Sequence, residues 1–178
     1  MKVSLAVQAL SRSEADAIEY CAKDLKLKAF KDSEPTVKFI RLIDRLFDVL
    51  NSRNPFGRDS KAPLRSENRN VWEPFLDEAF NYLLHLKDSA GTLTHEGPRK
   101  TGFIGFMTGI HSIKGLFKEY VDVDESPLQY LLTYKFSQDH LELFFGAMRS
   151  AGGCNDNPTV QQFIAYYKRL LLHSSIGN

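Results

Sequence analysis

Apolar residues along the chain recur mainly at helical spacing. Ile18, Cys21, Ala22 and Leu25 fall at i, i+3, i+4 and i+7, one stripe of an amphipathic helix. Ser13, followed by Glu14, Ala15 and Asp16, is the expected cap of that helix, with acid in its first turn. Upstream, Val3, Val7 and Leu10 predict a short preceding helix. The clearest helix opens at Ser33-Glu34-Pro35-Thr36, where Ser33 can cap and Pro35 suits a first turn that does not need its N–H. Val37, Ile40, Ile43, Leu46, Phe47 and Leu50 give it a wide apolar face, and Asn54-Pro55-Phe56-Gly57 brings turn chemistry after it.

Residues 52–70 are polar and read as a long loop, after which Trp72, Phe75, Leu76, Ala79, Phe80, Leu83 and Leu84 restore the helical period. A second loop covers Lys87 to Gly102, and a further helix is expected from Phe103 to Tyr120, interrupted in composition by Gly105, Gly109 and Gly115. Beyond Glu125-Ser126-Pro127 the pattern predicts a short helix through Tyr134. Next come a helix capped by Ser137 that stops at Gly152-Gly153, and a last one opened by Asn157-Pro158-Thr159. Nothing alternates with period two over a useful length, so the expected fold class is mainly α.

Composition narrows the field. A net charge of +1 in 178 residues gives no strongly basic face in the totals, so charge does not argue for nucleic acid. Two cysteines, Cys21 and Cys154, stand far apart, and neither lies in a CxxC. No apolar run approaches the roughly 18 residues of a membrane span, and the N-terminus has no continuous apolar signal region. The expectation is a soluble intracellular protein with no membrane partner. GxxxxGK[ST] is absent, which excludes a P-loop nucleotide site, and the five histidines show no metal-ligand spacing.

Three constellations can carry chemistry. Asp48 and Asn51, three apart near the end of the Ser33 helix, share roughly one face. A carboxylate only accepts hydrogen bonds, whereas an amide also donates. Guanine offers two adjacent donors beside a carbonyl, so an Asp can take the donors while an Asn serves the carbonyl. Adenine reverses that pattern, and such a pair would select GTP over ATP. The plainer assignment, which prevails on spacing alone, is a solvated helix carboxylate and a helix C-cap. Asp139 and Glu142 are likewise three apart and can present oxygen ligands to Mg²⁺. Their plainer role is to complement a helix N-terminus. Lys2 with Lys23, or Arg99 with Lys100, are cations available to phosphates.

Two long strings change the balance. FIRLIDRLFDVLNSRNPFG (Phe39 to Gly57) and LLTYKFSQDHLELFFGAMRSAGG (Leu131 to Gly153) resemble P-element transposases, and more closely their THAP-domain-bearing animal relatives. RKTGFIGF (Arg99 to Phe106) and NDNPTVQQFIAYYKRLL (Asn155 to Leu171) are similar to the same family in the same order. The resemblance implies a helical GTP-binding insertion domain over residues 1–124. Residues 125–178 would then be the C-terminal helices of a split RNase H-like catalytic domain. It implies that Asp48 and Asn51 contact the guanine base, that Asp139 also contacts GTP, that Lys2 and Val3 form a nucleotide-contacting pair, and that Glu142 is the catalytic acid and a ligand of Mg²⁺. The parent activity would be Mg²⁺-dependent DNA cleavage and strand transfer in the nucleus, with transposon-end DNA as partner. The family's zinc finger, coiled coil and two upstream catalytic aspartates would precede Met1, so the chain is expected to bind GTP without cutting DNA alone. A truncated element copy or an incomplete gene model would explain this. The alternative is a domesticated, non-enzymatic helical protein that binds a nucleotide or a partner, full-length transposase included. A helical scaffold that has lost every activity is a further one.

Overall fold

The computed structural model describes residues 8–153 and 155–174, with the side chains of residues 173 and 174 excepted. Lys2, Val3 and Cys154 therefore lie outside the described residues. Six α-helices follow one another among those described. They are α1 (Arg12–Lys23), α2 (Glu34–Leu50), α3 (Arg69–His85), α4 (Lys100–Tyr120), α5 (Asp139–Ala151) and α6 (Val160–Ser174). Extended pairing is limited there to two isolated antiparallel bridges, Leu64 with Leu131 and Lys87 with Leu93. The fold is mainly α. It divides into two compact units, the first ending at Tyr134 and the second beginning at Lys135.

In the first unit, α2 is the central element because it is apolar on two sides. Val37 and Ile40 are buried with Ala15 of α1. Leu42, Ile43, Leu46 and Val49 join a larger core with Trp72, Leu76 and Leu83 of α3 and Ile110, Ile113 and Phe117 of α4. Burying a side chain such as Leu46, fully enclosed here, is worth about 1.5–3 kcal/mol. Trp72 meets Phe117 edge-on at 4.7 Å between ring centroids. Phe47, expected on the buried face, is 44% exposed. The two inward faces are completed instead by Leu42 and Val49, which a single-stripe reading passes over.

Several boundaries differ from expectation for local reasons. The cap of α1 is Ser11 rather than Ser13: its hydroxyl accepts from the Glu14 N–H, so Ser13 is already inside the helix. Ser33 flanks α2 without a side-chain capping bond, while Pro35 occupies the first turn as expected. α4 runs unbroken through its glycines. Gln138, not Ser137, precedes α5, although the Ser137 hydroxyl accepts from the Asp139 N–H at 3.4 Å. Thr159 and Gln162 exchange side chain-to-backbone bonds at the start of α6, a reciprocal capping box.

The largest departure is the segment before Tyr134. It carries no α-helix; Leu131 exchanges both backbone hydrogen bonds with Leu64, at 2.9 and 3.0 Å. A short 3₁₀ turn then covers Thr133–Phe136. Short apolar runs suit a buried extended strand as well as a helix, and here tertiary pairing decides.

That extended strap ends in a buried clasp. The Thr133 hydroxyl donates to the Val49 carbonyl at 2.6 Å and accepts from the Ser52 N–H at 2.9 Å. Ser52 in turn donates its hydroxyl to the Lys61 carbonyl at 2.9 Å, and its own carbonyl accepts from the Tyr134 N–H. Thr133 and Ser52 are essentially inaccessible to water, so each bond replaces one that water cannot supply. Between them, the tight turn at residues 54–57 requires Gly57: a Cβ there would stand 2.1 Å from the Lys61 carbonyl oxygen.

In the second unit α5 packs on α6, with Met148 buried. Leu141, Leu143 and Phe145 are exposed.

Replacing Thr133 by Val keeps the shape and removes the hydroxyl, leaving a buried N–H and a buried carbonyl unpaired. The expected loss is about 1–3 kcal/mol in urea unfolding, whereas Thr133→Ser retains most of the stability. A midpoint unchanged in the Val variant would show that the clasp does not hold the unit together.

Candidate functional site

The polar side of α2 carries Arg41, Asp44, Arg45 and Asp48 at i, i+3, i+4 and i+7. They form one wall of a cleft of about 720 Å³. The opposite walls are Arg12 at the start of α1 and the stretch Arg58 to Lys61, which the Ser52–Lys61 bond and the Gly57 turn press toward α2. Asp59 within this stretch holds φ at +52°, in the left-handed region that non-glycine residues seldom occupy.

Asp48 is the carboxylate most affected by this setting. Its side chain is 30% exposed, and its nearest cation is the Lys61 ammonium at 3.7 Å. Burial pushes its pKa above the usual carboxylate value; Lys61 pulls it down and neighbouring Asp44 raises it. An ionised Asp48 is thus held where the protein disfavours its charge, a common property of ligand-reading groups. Asn51 is the C-cap of α2: its N–H donates to the Asp48 carbonyl at 3.3 Å, and its Oδ1 accepts from Arg53 Nε at 3.4 Å. The helix therefore brings the two residues close together, but only Asp48 lines the cleft.

The cations divide into those already engaged and those that are not. Arg41 reaches Asp16 at 2.6 Å and also bonds Glu19. Lys23, one of the expected phosphate partners, is tied to Glu19 at 2.5 Å, which raises its pKa and lowers that of Glu19. Arg99 and Lys100 stand at the N-terminus of α4, away from this cleft. Arg45 lays its guanidinium over Phe75, 3.9 Å from the ring centroid. Among the described residues no carboxylate lies within ion-pair distance of Arg45 or Arg58. The Arg41-to-Asp48 stripe is the signal by which sequence alone could have found the wall; nothing local announces Arg58 or Lys61.

In the second unit Asp139 and Glu142 both sit in the first turn of α5, and Glu142 accepts from Gln138 Nε2 at 3.2 Å. Both therefore complement the helix N-terminus. Among the described residues no group of three His, Cys, Asp or Glu side chains converges as a metal site. Two carboxylates one turn apart do not by themselves fit a two-metal centre, and no step through a metal follows from them. No described helix is long and apolar enough to cross a membrane.

Comparison with known proteins matches the sequence and the fold to a family. A family model described as the TNP-like GTP-binding insertion domain matches residues 1–63, which hold α1, α2 and the Arg58–Lys61 wall. Another, described as the TNP-like RNase H C-terminal domain, matches residues 134–168. The chain is 40% identical over 168 residues to a human protein named DNA transposase THAP9, which covers 94% of this chain. It belongs to the P-element-like transposase family. The Drosophila melanogaster transposable element P transposase is 30% identical over 176 residues, covering 91% of this chain. A solved structure described as the Drosophila P element transposase strand transfer complex superposes with a TM-score of 0.67 at 26% identity, over 93% of this chain and 35% of that one. The chain spans 18% and 20% of the lengths of these two curated relatives.

The displaced pKa of Asp48 carries a stability consequence. A carboxylate whose folded pKa is raised binds its proton more tightly folded than unfolded. Its ionisation therefore costs stability as pH rises from the ordinary Asp range through the raised value, and the cost persists above it. Asp48→Asn, neutral at every pH, should match or exceed the parent's melting temperature at pH 7. The advantage should vanish below the ordinary Asp range. An Asn variant clearly less stable at pH 7 would contradict the assigned burial of charge.

Proposed function

We propose that the first unit binds GTP and that Asp48 reads the guanine base. The observation that supports this most directly is a half-buried carboxylate at the wall of a cation-lined cleft, within the stretch matched to a GTP-binding insertion domain. An ionised carboxylate accepts the guanine ring N–H and exocyclic amine together, and partial desolvation strengthens both bonds. Asn51, fixed at the end of the same helix, serves the guanine carbonyl through its amide. Lys2 and Val3 belong to the same proposed nucleotide-contacting set, although they lie outside the described residues. Asp139 is proposed as a nucleotide contact on the family resemblance alone.

In a full-length transposase of this family the nucleotide would support Mg²⁺-dependent cleavage and joining of transposon-end DNA in the nucleus. Glu142 is then one of the acids contributed to the metal site, the RNase H C-terminal match being its support. The two carboxylates on α5 leave this chain a binding rather than a cutting protein by itself. The domain division that accompanies this reading assigns residues 1–124 to the insertion and residues 125–178 to the catalytic fold. Self-association with full-length transposase is the partner interaction that goes with it.

The test is a switch of base preference. Asp48→Asn replaces one acceptor oxygen by an N–H₂ donor, which suits the additional carbonyl of xanthine and opposes the amine of guanine. The variant should lose GTP binding by about tenfold or more and gain affinity for xanthosine triphosphate. Equal GTP binding by parent and variant would remove Asp48 from the base site.

A further inference from the structure

We propose that Ser126 is a phosphorylation site for a proline-directed protein kinase, and that a phosphate there uncouples the end of α4 from the strap that follows it. The proposal concerns residues 121–130 and is independent of the guanine reading.

Of the seven prolines in the chain, only Pro127 follows a serine or threonine. Proline has no N–H, so a kinase that accepts Ser126 must do without a hydrogen bond from the next residue. That requirement defines the proline-directed class. The ring also biases Ser126 toward extended backbone, the form in which a kinase cleft takes its substrate. Residues 122–129 are exposed without a break, and residues 121–130 hold no helix or strand. A segment with so few buried contacts leaves the surface at small cost.

The Ser126 hydroxyl has a structural task. It faces two backbone carbonyls as a donor, that of Tyr120 at 2.8 Å and that of Leu128. The Tyr120 carbonyl ends α4, among the last four that have no partner inside the helix. It also accepts from the Leu128 N–H at 3.2 Å. Ser126 thus closes the end of α4 and holds Leu128 beside it, three residues before Leu131 pairs with Leu64.

Phosphorylation inverts that role. Ser126 Oγ attacks the γ-phosphorus of ATP. The Oγ–P bond forms as the bond to the departing ADP oxygen breaks, and the hydroxyl proton passes to the kinase's carboxylate base. The ester oxygen keeps no proton to donate, and the phosphate brings about −1.5 to −2 charges. These charges face two carbonyls at the negative end of the α4 dipole. Asp122, Asp124 and Glu125 share the loop, and residues 121–130 include no Lys or Arg. Arg69, which reaches the loop through Asp122 at 2.6 Å, is already held by Glu73. Repulsion therefore opens the contact instead of ordering it. The strap keeps its Leu64 pairing and its Thr133 clasp but loses the tie at its upstream end.

The experiment treats the 178-residue chain with ATP, Mg²⁺ and a purified mitogen-activated protein kinase, and locates phosphate by mass spectrometry. Ser126 should be phosphorylated, and Pro127→Ala should lose most of the incorporation. Hydrogen exchange then reads the consequence. In the phosphorylated chain the Leu128 amide should exchange about tenfold faster, while the Leu46 amide of the core stays within about threefold of the parent. Ser126→Glu should move the Leu128 amide in the same direction and further than Ser126→Ala, which removes the donor without adding charge. A folded chain left unmodified at Ser126 by a kinase that modifies a Ser-Pro control peptide overturns the site. A phosphorylated chain, or a Ser126→Glu variant, whose Leu128 amide exchanges at the parent rate or more slowly overturns the release.

Discussion

The first unit depends on the buried hydroxyl of Thr133. It lies 84 residues along the chain from its acceptor, Val49, and 81 from its donor, Ser52. Through it the last turn of α2, the start of the following loop and the extended strap at 131–134 become one hydrogen-bonded object. The Ser52 hydroxyl carries the connection on to the Lys61 backbone. A loop of this length would otherwise have many conformations, and closing it costs entropy that these few bonds and the Leu64–Leu131 bridge must offset. The clasp thereby fixes where Arg58 and Lys61 face Asp48. Structure and candidate site share the same few atoms.

α2 explains why the site stands at this place. A helix flanked by apolar partners on two sides has only a narrow stripe left for polar residues, and that stripe is Arg41, Asp44, Arg45 and Asp48. Crowding onto one stripe has two consequences. Like and unlike charges interact at i, i+3 and i+4 spacing, and Asp48, nearest the loop, loses part of its hydration. Keeping a partly desolvated carboxylate is unfavourable for folding alone. It is favourable for a ligand that brings two N–H donors, because the bonds then form against a group water already serves poorly. The strained backbone of Asp59 on the facing wall is of the same kind, a local cost held in place by surrounding order.

The helices were legible in the sequence wherever the apolar period was long. α2, α3 and α6 appear where Ser33-Glu34-Pro35, Trp72 to Leu84 and Asn157-Pro158-Thr159 place them. Legibility failed where two local solutions compete or where a partner is distant. Ser11 and Ser13 both precede an acid, and only the Ser11 hydroxyl meets the Glu14 N–H. Leu128 to Leu132 has too few residues to separate helix from strand by period, and the pairing of Leu131 with Leu64 settles it. Phe47 looks like core in a one-stripe wheel, but α2 turns it outward because its neighbours lie elsewhere. Of the candidate site, the Asp48–Asn51 spacing and the charged stripe could be read. The Arg58–Lys61 wall could not, since it depends on long-range bonds through Ser52 and Thr133.

The second unit presents a different balance. Asp139 and Glu142 complement the first turn of α5, and Leu141, Leu143 and Phe145 on the same helix are exposed. The most direct measurement is calorimetric titration of the purified 178-residue chain with GTP and, under the same conditions, with ATP. Saturable binding of GTP, with at least about tenfold weaker binding of ATP, is the expected result. Equal affinity for the two, or heat from neither in a cooperatively folded sample, would contradict it.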